Sequence, residues 1–127
     1  MPKDIPIGAR GAAHETVKFE HTLTFHHPEL PPVYSTPDMI RLMETAGFHA
    51  LHPYSEPGEI TVGTAINVEH LRATAIGAAI KAEAVLEATD GKYYVLRVTA
   101  DDGKQEIGRG TVTRAFVNLE RFLAKTK

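Results

Sequence analysis

Between Pro37 and Leu51 the apolar residues Ile40, Met43, Gly47, Ala50 and Leu51 recur at three- and four-residue steps, the period of an amphipathic helix. Thr36, Pro37 and Asp38 supply its start, with a hydroxyl at the cap, a proline at the first helical position and an acid near the positive end of the dipole. The helix is predicted to end near Leu51 to Pro53. Glu44 falls within its apolar stripe. A carboxylate there is costly unless it is partnered in a network or used chemically, so Glu44 is a candidate catalytic residue.

Elsewhere the pattern has a period of two. Thr16 to Phe25 alternates, with Val17, Phe19, Leu23 and Phe25 opposed to Lys18, Glu20, Thr22 and Thr24, which predicts a half-buried first strand. His26 to Pro32 carries three prolines and two adjacent histidines and reads as a loop. After a turn at Tyr54 to Glu59, the residues Ile60, Val62, Ile66, Val68 and His70 are read on one face of a second strand. A third is predicted over Ile76 to Ala88. Asp90-Gly91 signals a tight hairpin into a fourth, Tyr93 to Ala100. Asp101 to Lys104 reverses the chain again. The fifth strand, Glu106 to Val117, is read as loosened by Gly108 and Gly110, and a short tail helix covers Leu119 to Lys125.

One long helix after the first strand, followed by hairpin-linked strands, predicts an α+β fold with a mostly antiparallel sheet of about five strands wrapped around that helix. The 127 residues and 43% hydrophobic content suit one domain spanning residues 1–127. A net charge of −2 with no basic run argues against binding nucleic acid or an anionic membrane by bulk electrostatics. The absence of cysteine removes thiolate nucleophiles and fits a reducing, cytoplasmic setting. Met1 to Arg10 has scattered charge and no apolar core, so neither a signal peptide nor a membrane anchor is expected there.

Thr36, Glu44 and His70 offer a hydroxyl, a carboxylate and an imidazole, a set suited to acyl transfer to water. Each also has a structural reading: threonines cap helices, and a histidine at a strand end is commonly structural. His49 and His52, with His26 and His27, invite a zinc reading, but no HExxH motif is present and no metal or other cofactor is expected. Arg72, Arg109 and Arg114 are candidate phosphate contacts.

Ser35-Thr36 with Leu42-Met43-Glu44, Pro53-Tyr54, Glu56-Pro57-Gly58-Glu59, Gly63-Thr64-Ala65-Ile66 with Val68 and His70, Glu106-Ile107-Gly108, Gly110-Thr111 and Arg114-Ala115 together form a recognisable pattern. Over Val17 to Ala124 the chain resembles the fluoroacetyl-CoA thioesterase branch of the hot-dog-fold thioesterases. The resemblance implies a hot-dog fold, a homodimer with active sites at its interface, and hydrolysis of a short-chain acyl-CoA thioester. It also implies a Thr/Glu/His set falling on Thr36, Glu44 and His70. Gly63 and Arg114 stand where that family keeps an active-site backbone position and a basic residue. The Pro-rich loop departs from the pattern: where the resembled enzyme has aromatic residues over its acyl pocket, this chain offers His26, His27 and Leu30. His27 and Leu30 are accordingly expected near a different acyl group.

Eight residues separate Thr36 from Glu44, about 12 Å along a helix. That exceeds hydrogen-bond reach. Either the chain folds back near Thr36, or one site combines residues of two subunits. A non-catalytic acyl-CoA or small-ligand binding module, with Glu44 in a buried network, is the alternative. A hot-dog hydratase would need an Asp and His five residues apart, whereas Asp38 is followed at that offset by Met43.

Overall fold

The computed structural model describes residues 4–127; of the Met1 to Arg10 stretch, Met1 to Lys3 lie outside the described residues. The elements in chain order are β1 Arg10–Thr16, α1 Leu23–His26, α2 Thr36–Leu51, β2 Glu59–His70, β3 Ala79–Thr89, β4 Tyr93–Asp101, β5 Glu106–Asn118 and α3 Leu119–Ala124. The five strands form one antiparallel sheet in the order β1-β3-β4-β5-β2. It curls around α2, the architecture of the hot-dog fold. No helix among the described residues is long and apolar enough to cross a membrane.

The helix buries Met39, Leu42, Met43, Ala46, Gly47, Ala50 and Leu51 against the sheet, each large apolar side chain contributing about 1.5–3 kcal/mol through removal from water. Ile40, placed in the stripe by periodicity, is half-buried at its edge. Opposite lie Ile80, Ala82, Ala84 and Leu86 of β3, Tyr94, Leu96, Val98 and Ala100 of β4, and Val112 of β5. Small residues let the helix come close. A methyl group added at Gly11 of β1 would lie 2.8 Å from the backbone of His49, so α2 rests directly on that strand.

The structure moves the first strand. The predicted strand over Thr16 to Phe25 is instead a 3-10 turn at Phe19–His21 followed by α1, and the strand lies at Arg10–Thr16. Local hydrogen bonding outcompetes the alternation: Thr22 Oγ1 donates to the Phe19 carbonyl at 2.6 Å and caps α1 by accepting from the Phe25 amide at 3.4 Å. Phe19 and Phe25, expected on the core side, are 52% and 54% exposed and meet edge to face. The third strand begins at Ala79, with Ile76 left in the turn before it.

Two smaller readings also change. The α2 N-cap is Ser35, whose hydroxyl accepts from the Asp38 amide at 3.1 Å, so Thr36 is the first helical residue and Pro37 the second. The register of β5 against β2 is unbroken at Gly108 and Gly110, but against β4 it skips Ile107 beside Gly108, and the other irregularities fall between Gly63 and Ala65 and between Leu86 and Ala88. Gly108 also marks a close approach, since an added methyl would lie 2.6 Å from the Met39 terminal carbon.

Candidate active site

The break in β2 register at Thr64 decides which residues meet the helix. Before it, Thr61 and Gly63 face α2, opposite Phe116 and Arg114 of β5; after it, Ile66, Val68 and His70 face α2, opposite Val112, Gly110 and Gly108. One extra residue switches the inward parity from odd to even. The sequence reading that put Ile60 and Val62 on the same face as His70 is corrected by this bulge.

Two pairs of functional side chains result. At the N-terminus of α2, Thr36 Oγ1 lies 2.8 Å from His70 Nδ1. Burial pushes the His70 pKa below its ordinary value, partly offset by a backbone hydrogen bond with Arg72, which favours the neutral imidazole near pH 7. Further along α2, Glu44 Oε1 is 3.3 Å from Arg114 Nη1. The Glu44 carboxylate also lies over Gly63, where an added methyl would sit 3.0 Å from its Cδ and closer still to Oε2. A side chain at that point of the strand would require the Glu44 carboxylate to move aside.

Arg114 is locked before it reaches Glu44. Its Nε donates to Thr61 Oγ1 at 2.9 Å and its Nη2 to the Thr61 carbonyl at 2.8 Å. Burial pushes its pKa down and the Glu44 carboxylate opposes that shift. Thr61, 3% exposed, was not singled out from sequence, although a polar residue two positions before Gly63 on the inward face is the signal that could have found it.

Thr36 and His70 line a cavity of about 270 Å³. Leu23, Val33, Leu71 and Ala73 form its apolar walls, and Tyr34 and Arg72 complete it. Tyr34 is fixed from behind: its hydroxyl donates to Glu15 Oε2, while Arg41 Nη2 donates to Glu15 Oε1 at 2.6 Å. Burial first, and Glu15 second, raise the Tyr34 pKa far above the usual range, so the phenol remains a donor. A larger groove of about 600 Å³ crosses the opposite face of the sheet, between Glu83, Arg97 and Arg109. It contains neither pair.

Within one chain the two pairs stay apart, because α2 is helical from Thr36 through Glu44 and so holds them about 12 Å apart. Among the described residues, His70 Nε2 is buried without a hydrogen-bond partner, as are Thr74 Oγ1 and the Tyr94 hydroxyl, while Glu44 Oε1 has its ion pair with Arg114 but no hydrogen bond. Such atoms are rare in folded proteins and are common where a site acts on something else. His27 and Leu30 lie exposed after α1, outside the residues lining the cavity. His49 Nδ1 sits 2.8 Å from the Ala12 carbonyl and His52 stacks on Phe48, so these two histidines have local partners.

Comparison with known proteins gives a consistent answer. Residues 17–120 match the family described as FlK, fluoroacetyl-CoA-specific thioesterase. The fluoroacetyl-CoA thioesterase of Streptantibioticus cattleyicolor is 42% identical over 114 residues, covering 90% of this chain and 82% of that protein. A solved structure of FlK superposes with a TM-score of 0.90 at 39% identity, covering 96% of this chain and 95% of that one. A mutant FlK in complex with fluoroacetate and CoA gives a TM-score of 0.85 at 39% identity, covering 93% of this chain and 99% of the other. The chain therefore belongs to the FlK family of fluoroacetyl-CoA-specific thioesterases.

Proposed function

We propose that this protein hydrolyses a short-chain acyl-CoA thioester to the free acid and CoA, in a site shared between two copies of the chain. The observation that carries this reading is the placement of the Thr36–His70 and Glu44–Arg114 pairs on one side of the sheet at separate points of α2. Each pair is half of a hydrolytic site. The 42% identical relative acts on fluoroacetyl-CoA, and CoA is bound in a solved FlK complex, which supports the substrate class.

Strand β2 supports the shared arrangement. It is an edge strand twelve residues long, and its central stretch from Gly63 to Asn67 is exposed, with Ile66 at 47%. Long open edges are normally covered. In the proposed homodimer a second β2 pairs there and brings Glu44 of one subunit toward Thr36 and His70 of the other.

In that site the Thr36 amide points at the thioester carbonyl and stabilises the oxyanion as it forms, since Pro37 has no N–H and the Asp38 and Met39 amides are already bonded to Ser35. The Thr36 hydroxyl, held by His70, fixes the carbonyl's position. Glu44 takes the proton of an attacking water, or itself adds to the carbonyl carbon and is released by water afterwards. Collapse of the tetrahedral adduct breaks the C–S bond and expels the CoA thiolate, which is reprotonated. Arg114 keeps the carboxylate aimed, and neutral His70 accepts and returns protons. A short acyl chain fits the small cavity beside Thr36.

The test is turnover of a panel of short acyl-CoA thioesters by wild type and Glu44→Gln. Glu44→Gln keeps the side-chain shape and is expected to lose hydrolysis by orders of magnitude while folding and assembling normally. Near-normal turnover in that variant would remove Glu44 from the chemistry and favour the binding-module reading.

A further inference from the structure

We propose that Arg72 is the contact that reads the phosphate groups of coenzyme A at the mouth of the site, an assignment that rests on the acyl-CoA reading above. Three arginines are placed near the β2–β5 pair, and the structure separates them. Arg114 is 6% exposed and its N–H groups are committed to Thr61 and Glu44. Arg109 is held by Glu69 at 4.0 Å and Glu106 at 3.7 Å, and lines the groove on the far face of the sheet. Arg72 lines the cavity that contains Thr36 and His70.

Among the described residues, Arg72 is also the sole lining residue of that cavity with a permanent charge, since the others are apolar apart from Tyr34, Thr36 and His70. A substrate bearing several phosphate charges approaches a protein of net charge −2, so long-range attraction does not gather it and a local cation must. The guanidinium is already oriented: Nη1 donates to the Glu106 carbonyl at 2.7 Å. No carboxylate pairs with it among the described residues, which leaves the remaining N–H groups of the fork for an anion.

Its position along the site suits the distal end of the substrate. His70 pairs with Gly108, the Leu71 amide donates to the Ile107 carbonyl, and Arg72 reaches the Glu106 carbonyl, so each step runs further from the reacting carbonyl and out past the end of β2. Arg72 lies in the bend two residues past the last residue of β2, and its long side chain extends from there. The thioester then lies at Thr36 and His70, with the phosphates outward at Arg72.

Equilibrium binding of free CoA and of pantetheine, which lacks the phosphates, tests this without requiring turnover. Calorimetry on wild type, Arg72→Ala and Arg72→Lys at low and high salt is expected to show CoA binding weakened about tenfold by Arg72→Ala, with pantetheine binding unchanged. Arg72→Lys should fall between, and salt should shrink the difference. Equal CoA affinity in wild type and Arg72→Ala would overturn the assignment. So would an equal loss for pantetheine in both variants, which would place Arg72 at the acyl end or in the fold. No CoA binding by wild type would overturn this inference and the proposed function together. Arg72-dependent CoA binding without cleavage of any thioester would support Arg72 and overturn hydrolysis alone.

Discussion

Gly63 and His70 are seven positions apart on one strand, yet both face the same helix. An odd separation on a regular strand would put them on opposite faces. The bulge at Thr64 reverses that, so Gly63 makes room for Glu44 while His70 reaches Thr36. The strand irregularity is therefore part of the site.

Gly63→Ala should push the Glu44 carboxylate away from its place over the strand. A displacement of about 1 Å is enough to lower kcat about a hundredfold, and the overpacking should cost about 1–3 kcal/mol in denaturant unfolding. Shortening the acid in Gly63→Ala/Glu44→Asp should recover much of the stability. Steady-state kinetics and unfolding midpoints on the double-mutant cycle check this; strictly additive stability losses would show that the two residues do not compete for space.

The helix start separates stability from chemistry at adjacent residues. Ser35→Ala removes the cap on the Asp38 amide and should cost about 1 kcal/mol. Thr36→Ala leaves that cap in place and removes the hydroxyl beside His70, so thermal unfolding should hardly change while turnover falls. The reverse pattern would make Thr36 the structural residue.

Acidification should destabilise the fold through His70. Burial lowers its pKa in the folded state below the ordinary value of 6.5, so between those two values the unfolded chain binds more protons. Stability then rises with pH across that window, is complete above about 6.5, and is lost as pH falls toward the lowered folded value. His70→Asn should flatten this part of the profile in urea unfolding measured across a pH series. An unchanged slope would assign the acid sensitivity to another group.

The long helix was legible because Met43, Gly47 and Ala50 keep a strong period and because its burial follows that period. The first strand was not: Gly11, Ala12 and Ala13 carry almost no hydrophobic contrast, being small so that α2 can rest on them, whereas the clear alternation of Val17 to Phe25 is spent on a capped turn. The bulge at Thr64 left no mark in hydrophobicity. Glu44 was conspicuous as an acid among apolar residues, and its partner Arg114 was found through family resemblance, since 70 positions separate them. Thr61 depends on strand register, which periodicity does not contain, and cavity shape is what separates Arg72 from the other two arginines named from sequence.

The sharing of one site between two subunits is open to a direct measurement. Thr36→Ala and Glu44→Gln chains carrying different tags can be co-expressed and the mixed dimer isolated, each parent dimer being nearly inactive. The mixed dimer contains one site with Thr36 and His70 from one chain and Glu44 from the other, and should regain about half of the wild-type turnover per dimer. A mixed dimer as inactive as its parents would contradict the shared site and place the chemistry within a single chain.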